Sequence, residues 1–268
     1  MSTAIVLLGH GTKDADGTAE FLQYVEELRR RSGWPVSAGV LEYPSAELPD
    51  IQEAFRAAAA SGASQIVGLP ALLHFAGHAR TDMPAQLRQA QDAHPELDIR
   101  LAGPLGFDDR LLAAVELRLA GQSNDADTAV LLVGRGSLDD AANADLFRTA
   151  RMLWSRNRYG SVEAAFVSLA PPDVACGIER CVRLGARTVL VAPYFLNDGV
   201  LVKRIAQQAS HASVDVRVVS HIGVQSIVCD VMLDRLAQAR TGMCPCRSAT
   251  GCRLPALNCA QEAACLVR

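Results

Sequence analysis

The sequence predicts an α/β protein of two similar domains, each a parallel sheet of about four strands flanked by helices. Three observations carry that expectation: the chain repeats itself once, short apolar runs alternate with longer amphipathic stretches, and a polar linker falls between the copies. AIVLLGHGTKD at 4–14 returns as AVLLVGRGSLD at 129–139. GASQIVGLPALL at 62–73 returns as GARTVLVAPYFL at 185–196, and LGFDDRLLAAVELRL at 105–119 as IGVQSIVCDVMLDRL at 222–236. A single repeat of this length implies two related domains and not a solenoid.

Within the first copy, Val/Ile/Leu-rich runs bounded by Gly and Pro predict buried parallel strands at 4–9, 35–42, 65–70 and 97–102. Phe21, Val25 and Leu28 recur at helical spacing, as do Ile51, Ala54 and Phe55 ahead of a C-terminal cap at Gly62. The second copy predicts strands near 129–134, 161–168, 187–193 and 214–219. Alternation of this kind gives parallel sheets with helices on both faces. Gln122-Ser123-Asn124-Asp125 is the turn-prone linker, so the expected division is 1–122, 126–240 and a tail, 241–268, without helical period.

Composition narrows the function. Half of the residues are hydrophobic and 21% are charged, which predicts a packed core. A net charge of −3, with no Lys/Arg-rich tract, argues against nucleic acid as a partner. No apolar stretch reaches the roughly 18 residues that a membrane span needs, and the N-terminus lacks the basic region of a signal peptide. The expectation is a soluble cytoplasmic protein, a monomer or weak dimer. Cys176, Cys181 and Cys229 are scattered, whereas Cys244, Cys246, Cys252, Cys259 and Cys265 crowd the last 25 residues. In a cytoplasmic protein such a cluster suits a metal site better than a disulfide framework.

In open α/β sheets ligands bind at the carboxyl ends of the strands. The residues expected there are His10 after the first strand, Glu42 at the end of the second, and His74 through His78 after the third. Imidazole suits Co²⁺, Ni²⁺, Fe²⁺ or Zn²⁺ better than Mg²⁺ or Ca²⁺. Two histidines leave coordination positions open, as handing a metal to a substrate requires. Gly9-His10-Gly11 matches neither dinucleotide- nor P-loop glycine patterns. The duplication supplies a control: Arg135 stands for His10, Ser168 roughly for Glu42, and Asn197-Asp198-Gly199-Val200 for the His74–His78 stretch. The glycines, prolines and apolar residues persist while the reactive types vanish, which assigns the chemistry to one half. A bland reading, histidines as hydrogen-bonded turn residues, competes for each position taken alone. His94, His211 and His221 read as surface or structural.

LLGHGTKD followed by LPALLHFAGHARTDMP resembles the CbiX-type sirohydrochlorin cobaltochelatases of the class II chelatase superfamily. GRGSLDDAANADL and APYFLNDGVLVKRI are similar to the second half of the long, two-domain form, and the resemblance spans about 1–240. It implies insertion of Co²⁺ into sirohydrochlorin in cobalamin synthesis, with His10 and His78 handling the metal and Glu42 facing the same cleft. It also implies a polycarboxylated tetrapyrrole substrate, for which Lys13, Arg80, Arg135, Lys203 and Arg204 are the candidate carboxylate partners. Some long relatives carry a C-terminal iron–sulfur motif. The spacing here, C-x-C-x₅-C-x₆-C-x₅-C, departs from a simple C-x-x-C and leaves a cluster, a zinc ion or a reduced tail open. The rival readings are the same reaction with Fe²⁺ for sirohaem, Ni²⁺ as metal, or a metallochaperone that modifies no tetrapyrrole.

Overall fold

A computed structural model describes residues 2–74, 81–210 and 214–241. In chain order the elements are β1 (Thr3–Gly9), α1 (Ala15–Ser32), β2 (Val36–Val40), α2 (Ile51–Ala60), β3 (Gln65–Pro70), α3 (Asp82–Ala93), β4 (Asp98–Leu101) and α4 (Asp109–Leu119). The same order recurs as β5 (Thr128–Gly134), α5 (Asp140–Arg156), β6 (Ser161–Phe166), α6 (Val174–Arg183), β7 (Thr188–Pro193), α7 (Val200–Ala209), β8 (Asp215–Val218) and α8 (Ser226–Arg240). Each set of four strands forms one parallel sheet, ordered β2-β1-β3-β4 and β6-β5-β7-β8. The expected α/β architecture is the observed one, and all eight strands lie where the sequence puts them. Two of the expected strands run on further, because Leu41 and Glu42 still pair with β1 after β2 has ended, as Val167 and Ser168 do beside β5.

Every residue of β1 and of β5 is buried, so both faces of each sheet are covered. Along β1, Ala4, Val6 and Leu8 pack with Ile51, Ala54 and Phe55 of α2 and with Met83 and Leu87 of α3. By the two-residue period, Ile5 and Leu7 face the opposite side. The second sheet repeats this with Ala129, Leu131 and Val133 against Val174, Ile178 and Cys181 of α6 and Ile205 of α7. Helix starts repeat too. Asp14 and Asp139 cap α1 and α5, and Asp50 and Asp173 cap α2 and α6, each carboxylate accepting from first-turn backbone N–H groups.

The compact units do not coincide with the sequence repeats. One unit takes the chain through Gly106 together with α8 from Cys229 onward; the other runs from Phe107 to Val228 and so holds α4. The final helix of each repeat therefore packs in the unit built around the other repeat's sheet. A reciprocal pair of contacts marks the exchange. The Arg118 guanidinium of α4 donates twice to the Ile222 carbonyl, at 2.7 and 3.0 Å. At the matching position of α8, Arg235 donates to the Leu105 carbonyl at 2.7 and 3.2 Å. Arg100 of β4 then takes the last carbonyls of α8, Ala239 and Arg240, which have no partner inside the helix. Arg31 of α1 pairs with Asp230 of α8.

Two of the three described cysteines sit in these cores. Burial pushes the Cys181 thiol up to about 12 and the Cys229 thiol up to about 11, whereas Cys176 is exposed. Thiolate is the reactive form, so iodoacetamide at pH 8 should modify Cys176 and spare Cys181 and Cys229, as read by peptide mapping. Rapid labelling of either buried thiol at that pH would contradict the packing. The exchanged helices yield a second expectation. A fragment ending at residue 122 lacks α8 and keeps α4 without the rest of its unit. It should unfold in urea less cooperatively, and at lower denaturant, than the full chain does. A sharp transition and intact near-ultraviolet dichroism for the fragment would show that α8 is dispensable.

Candidate functional site

In the order β2-β1-β3-β4 the chain goes from β1 to one side and returns to the other for β3, so loops leaving these strands diverge at their carboxyl ends. Such a reversal is where open α/β sheets take ligands. His10 follows β1 directly. Ladder bonding continues beyond the strand ends: Leu41 N–H donates to Gly9 O at 3.1 Å and Glu42 N–H to His10 O at 2.8 Å. On the other side, Ala71 N–H donates to Leu8 O at 2.8 Å, which starts the segment that carries His74.

This backbone puts two of the expected residues side by side. His10 Nε2 lies 3.7 Å from Glu42 Oε1. Their side chains are 26% and 43% exposed, although the His10 Nε2 atom itself is shielded from solvent. His10 Nδ1 is 3.3 Å from the Gly11 carbonyl. With the proton on Nδ1 the ring donates there, and Nε2 presents its lone pair beside a carboxylate. With both nitrogens protonated the ring forms an ion pair with Glu42. The pair can thus hold a cation or accept a proton. Gly11 makes the approach possible. Its φ is +93°, and a Cβ there would fall 1.8 Å from the Glu42 carbonyl oxygen.

The second repeat reproduces the frame without the donors. Val167 N–H donates to Gly134 O at 2.9 Å and Ser168 N–H to Arg135 O at 3.1 Å. Gly136 has φ +87°, and its Cβ would meet the Ser168 carbonyl oxygen at 2.0 Å. Tyr194 N–H donates to Val133 O at 2.8 Å, as Ala71 does to Leu8 O. The correspondence inferred from sequence is therefore one of backbone register: Arg135 for His10, Ser168 for Glu42 and Asn197 for His74.

Of the remaining candidates, both ring nitrogens of His74 are shielded from solvent. The Lys13 ammonium sits 4.7 Å from the centroid of the Tyr43 ring. Arg135 is exposed at the second sheet's edge, and Lys203 and Arg204 are exposed in the first turns of α7. His78, Arg80, His211 and the five cysteines Cys244, Cys246, Cys252, Cys259 and Cys265 lie outside the described residues. Among the described residues, no group of three or more His, Cys, Asp and Glu side chains is placed to hold a metal ion. No described helix is long and apolar enough to cross a membrane. Sequence reasoning missed Tyr43. It precedes a proline, a position biased towards extended backbone, yet it has φ +54°.

Comparison with known proteins agrees with the duplication. A family model described as CbiX matches residues 4–122 and again 129–239. A sirohydrochlorin cobaltochelatase of Priestia megaterium is 29% identical over 253 residues, covering 89% of this chain and 80% of that protein. A sirohydrochlorin ferrochelatase of the same organism is 28% identical, covering 79% of this chain and 80% of its own length. Among solved structures, SirB from Bacillus subtilis with Fe³⁺ superposes with a TM-score of 0.75 at 25% identity, over 89% of this chain and 96% of that one.

The Gly11 approach gives a test of the site. Gly11→Ala should destabilise the fold by at least about 2 kcal/mol in urea, because it combines a positive φ with a backbone clash. Gly136→Ala should cost a similar amount, since it meets the same obstruction. Either variant unfolding like wild type would show that the edge relaxes freely.

Proposed function

The chain belongs to the CbiX family, and on that premise we propose that it is a sirohydrochlorin chelatase whose metal is Co²⁺. The observation that carries this reading is the His10–Glu42 pair at the carboxyl edge of the first sheet, replaced on an equivalent frame by Arg135 and Ser168. One repeat keeps a metal-compatible donor set and the other does not. Relatives of near-equal identity include both cobalt and iron chelatases, so Fe²⁺ is the second reading.

Insertion exchanges two pyrrole protons for one divalent cation, so the protein must deliver the metal and receive two protons. His10 offers an imidazole, a side chain that can both ligate a divalent cation and accept a proton. Its Nε2 hands the cation over and then accepts one pyrrole proton, while Glu42 balances the charge as the metal is held and takes the second proton. His78 is assigned the second metal ligand by its place in the G-H-A-R-x-D-M-P motif. The substrate is polycarboxylated, and Lys13, Arg80, Arg135, Lys203 and Arg204 are proposed to pair with its rim. Arg135 thereby acquires a role: where the first repeat holds a cation, the second supplies one.

The test is visible absorption of sirohydrochlorin with Co²⁺ or Fe²⁺, with and without protein. His10→Ala should slow protein-dependent conversion about 100-fold or more, and Glu42→Gln about tenfold. The faster of the two metals identifies the preferred substrate. Conversion no faster than the spontaneous rate with both metals would overturn the chelatase reading.

A further inference from the structure

Among the described residues only two non-glycine residues have positive φ, Tyr43 at +54° and Leu169 at +61°. They are the same position in the two repeats. Tyr43 follows Glu42, whose N–H pairs with His10 O; Leu169 follows Ser168, whose N–H pairs with Arg135 O. Both are large, and both are exposed, Tyr43 by 47% and Leu169 by 54%. Each therefore combines two unfavourable features. Left-handed backbone presses Cβ against a carbonyl oxygen, and apolar surface is left in water. At Leu169 the turn is tighter still, because Ala170 N–H donates to Ser168 O at 2.7 Å, a three-residue turn that is rare and strained.

A tight turn at this point does not call for such side chains. Glycine or asparagine would adopt the backbone more easily and would expose no apolar surface. Strained conformations cluster at ligand-binding positions, where what is gained on binding offsets their cost. The neighbouring position strengthens the case. Asp14 N–H donates to Thr12 Oγ1 at 3.0 Å and Asp139 N–H to Ser137 Oγ at 3.0 Å, which makes Lys13 and Leu138 equivalent. Lys13 lies over the Tyr43 ring, and Leu138 is 88% exposed. One edge thus offers an aromatic ring with a cation, and the other a pair of leucines.

We propose that Tyr43 on the first sheet's edge, and separately Leu169 on the second sheet's edge, is a binding residue for the apolar face of a tetrapyrrole, held out from its own edge by left-handed backbone for that purpose. The inference rests on the chelatase reading and deepens it by naming residues that meet the macrocycle plane. A flat ring with a carboxylate rim matches both pads. Its face covers the exposed phenol ring or leucines, and its rim is within the chemistry of Lys13.

The experiment uses the full chain and metal-free sirohydrochlorin, titrated by the change in the ligand's own fluorescence. Thermal midpoints and Co²⁺ binding without tetrapyrrole are measured in parallel. Tyr43→Asn and Leu169→Asn keep a residue that tolerates the backbone and remove the apolar surface. Each should weaken sirohydrochlorin binding about tenfold, with Co²⁺ binding unchanged and the midpoint unchanged or raised. Tyr43→Phe should bind as wild type does. Binding within twofold of wild type for both Asn variants would overturn the proposal while leaving the chelatase reading standing. A lowered midpoint or lost Co²⁺ binding would also overturn it, by assigning these residues to packing or to the metal site. Wild-type protein that binds no sirohydrochlorin would remove both.

Discussion

The carboxyl edge of each sheet depends on two loops that approach more closely than a side chain allows. The loop after the first strand of a repeat runs against the loop after the second, and their backbones continue the ladder one rung beyond the regular strands. Gly11 and Gly136 occupy the point of closest approach, where a Cβ would sit about as far from a carbonyl oxygen as a covalent bond reaches. This fixes residues 10 and 42 as neighbours before their identities matter. What the pair does is then decided by side chains alone: imidazole and carboxylate in the first repeat, guanidinium and hydroxyl in the second.

The same economy governs the helices. α4 and α8 carry closely similar patterns, and each packs in the unit around the other repeat's sheet. Arginines at matching positions, Arg118 and Arg235, each satisfy a main-chain carbonyl, Ile222 and Leu105, that precedes the opposite helix. A buried carbonyl without a donor costs about 1–3 kcal/mol, so the arginines bind the exchange to the sequence. The polar chemistry that holds the fold is thus spread along the chain, while the chemistry proposed for the reaction is confined to one edge.

Much of this was legible from sequence because it follows from local pattern. β1, β3, β5 and β7 are continuous apolar runs bounded by Gly or Pro, and buried parallel strands read that way. The site was legible for a different reason. The repeat holds the scaffold constant, so His10, Glu42 and the His74–His78 stretch stand out as candidates because they are what changes. The ownership of α4 and α8 was hidden, since an apolar helical face does not say which of two like sheets it covers. Tyr43 was hidden as well, because its left-handed backbone contradicts the local preference of a residue before proline.

The duplication also explains how one half can do without the His–Glu pair and still keep its place. After copying, a second His–Glu pair on the same frame would add a competing cation site with no further step to serve. Replacing His10's counterpart by Arg135 removes that site and leaves a guanidinium in its place. Ser168 in turn removes the carboxylate that would have paired with it and repelled an anionic ligand. The exchange of Lys13 for Leu138 runs the other way, removing a cation from the second edge and leaving open aliphatic surface. Each substitution is tolerated because the main-chain hydrogen bonds and the glycine approach define the edge. On the reading proposed above, the second repeat is the same edge with a fixed guanidinium where the first holds an imidazole–carboxylate pair.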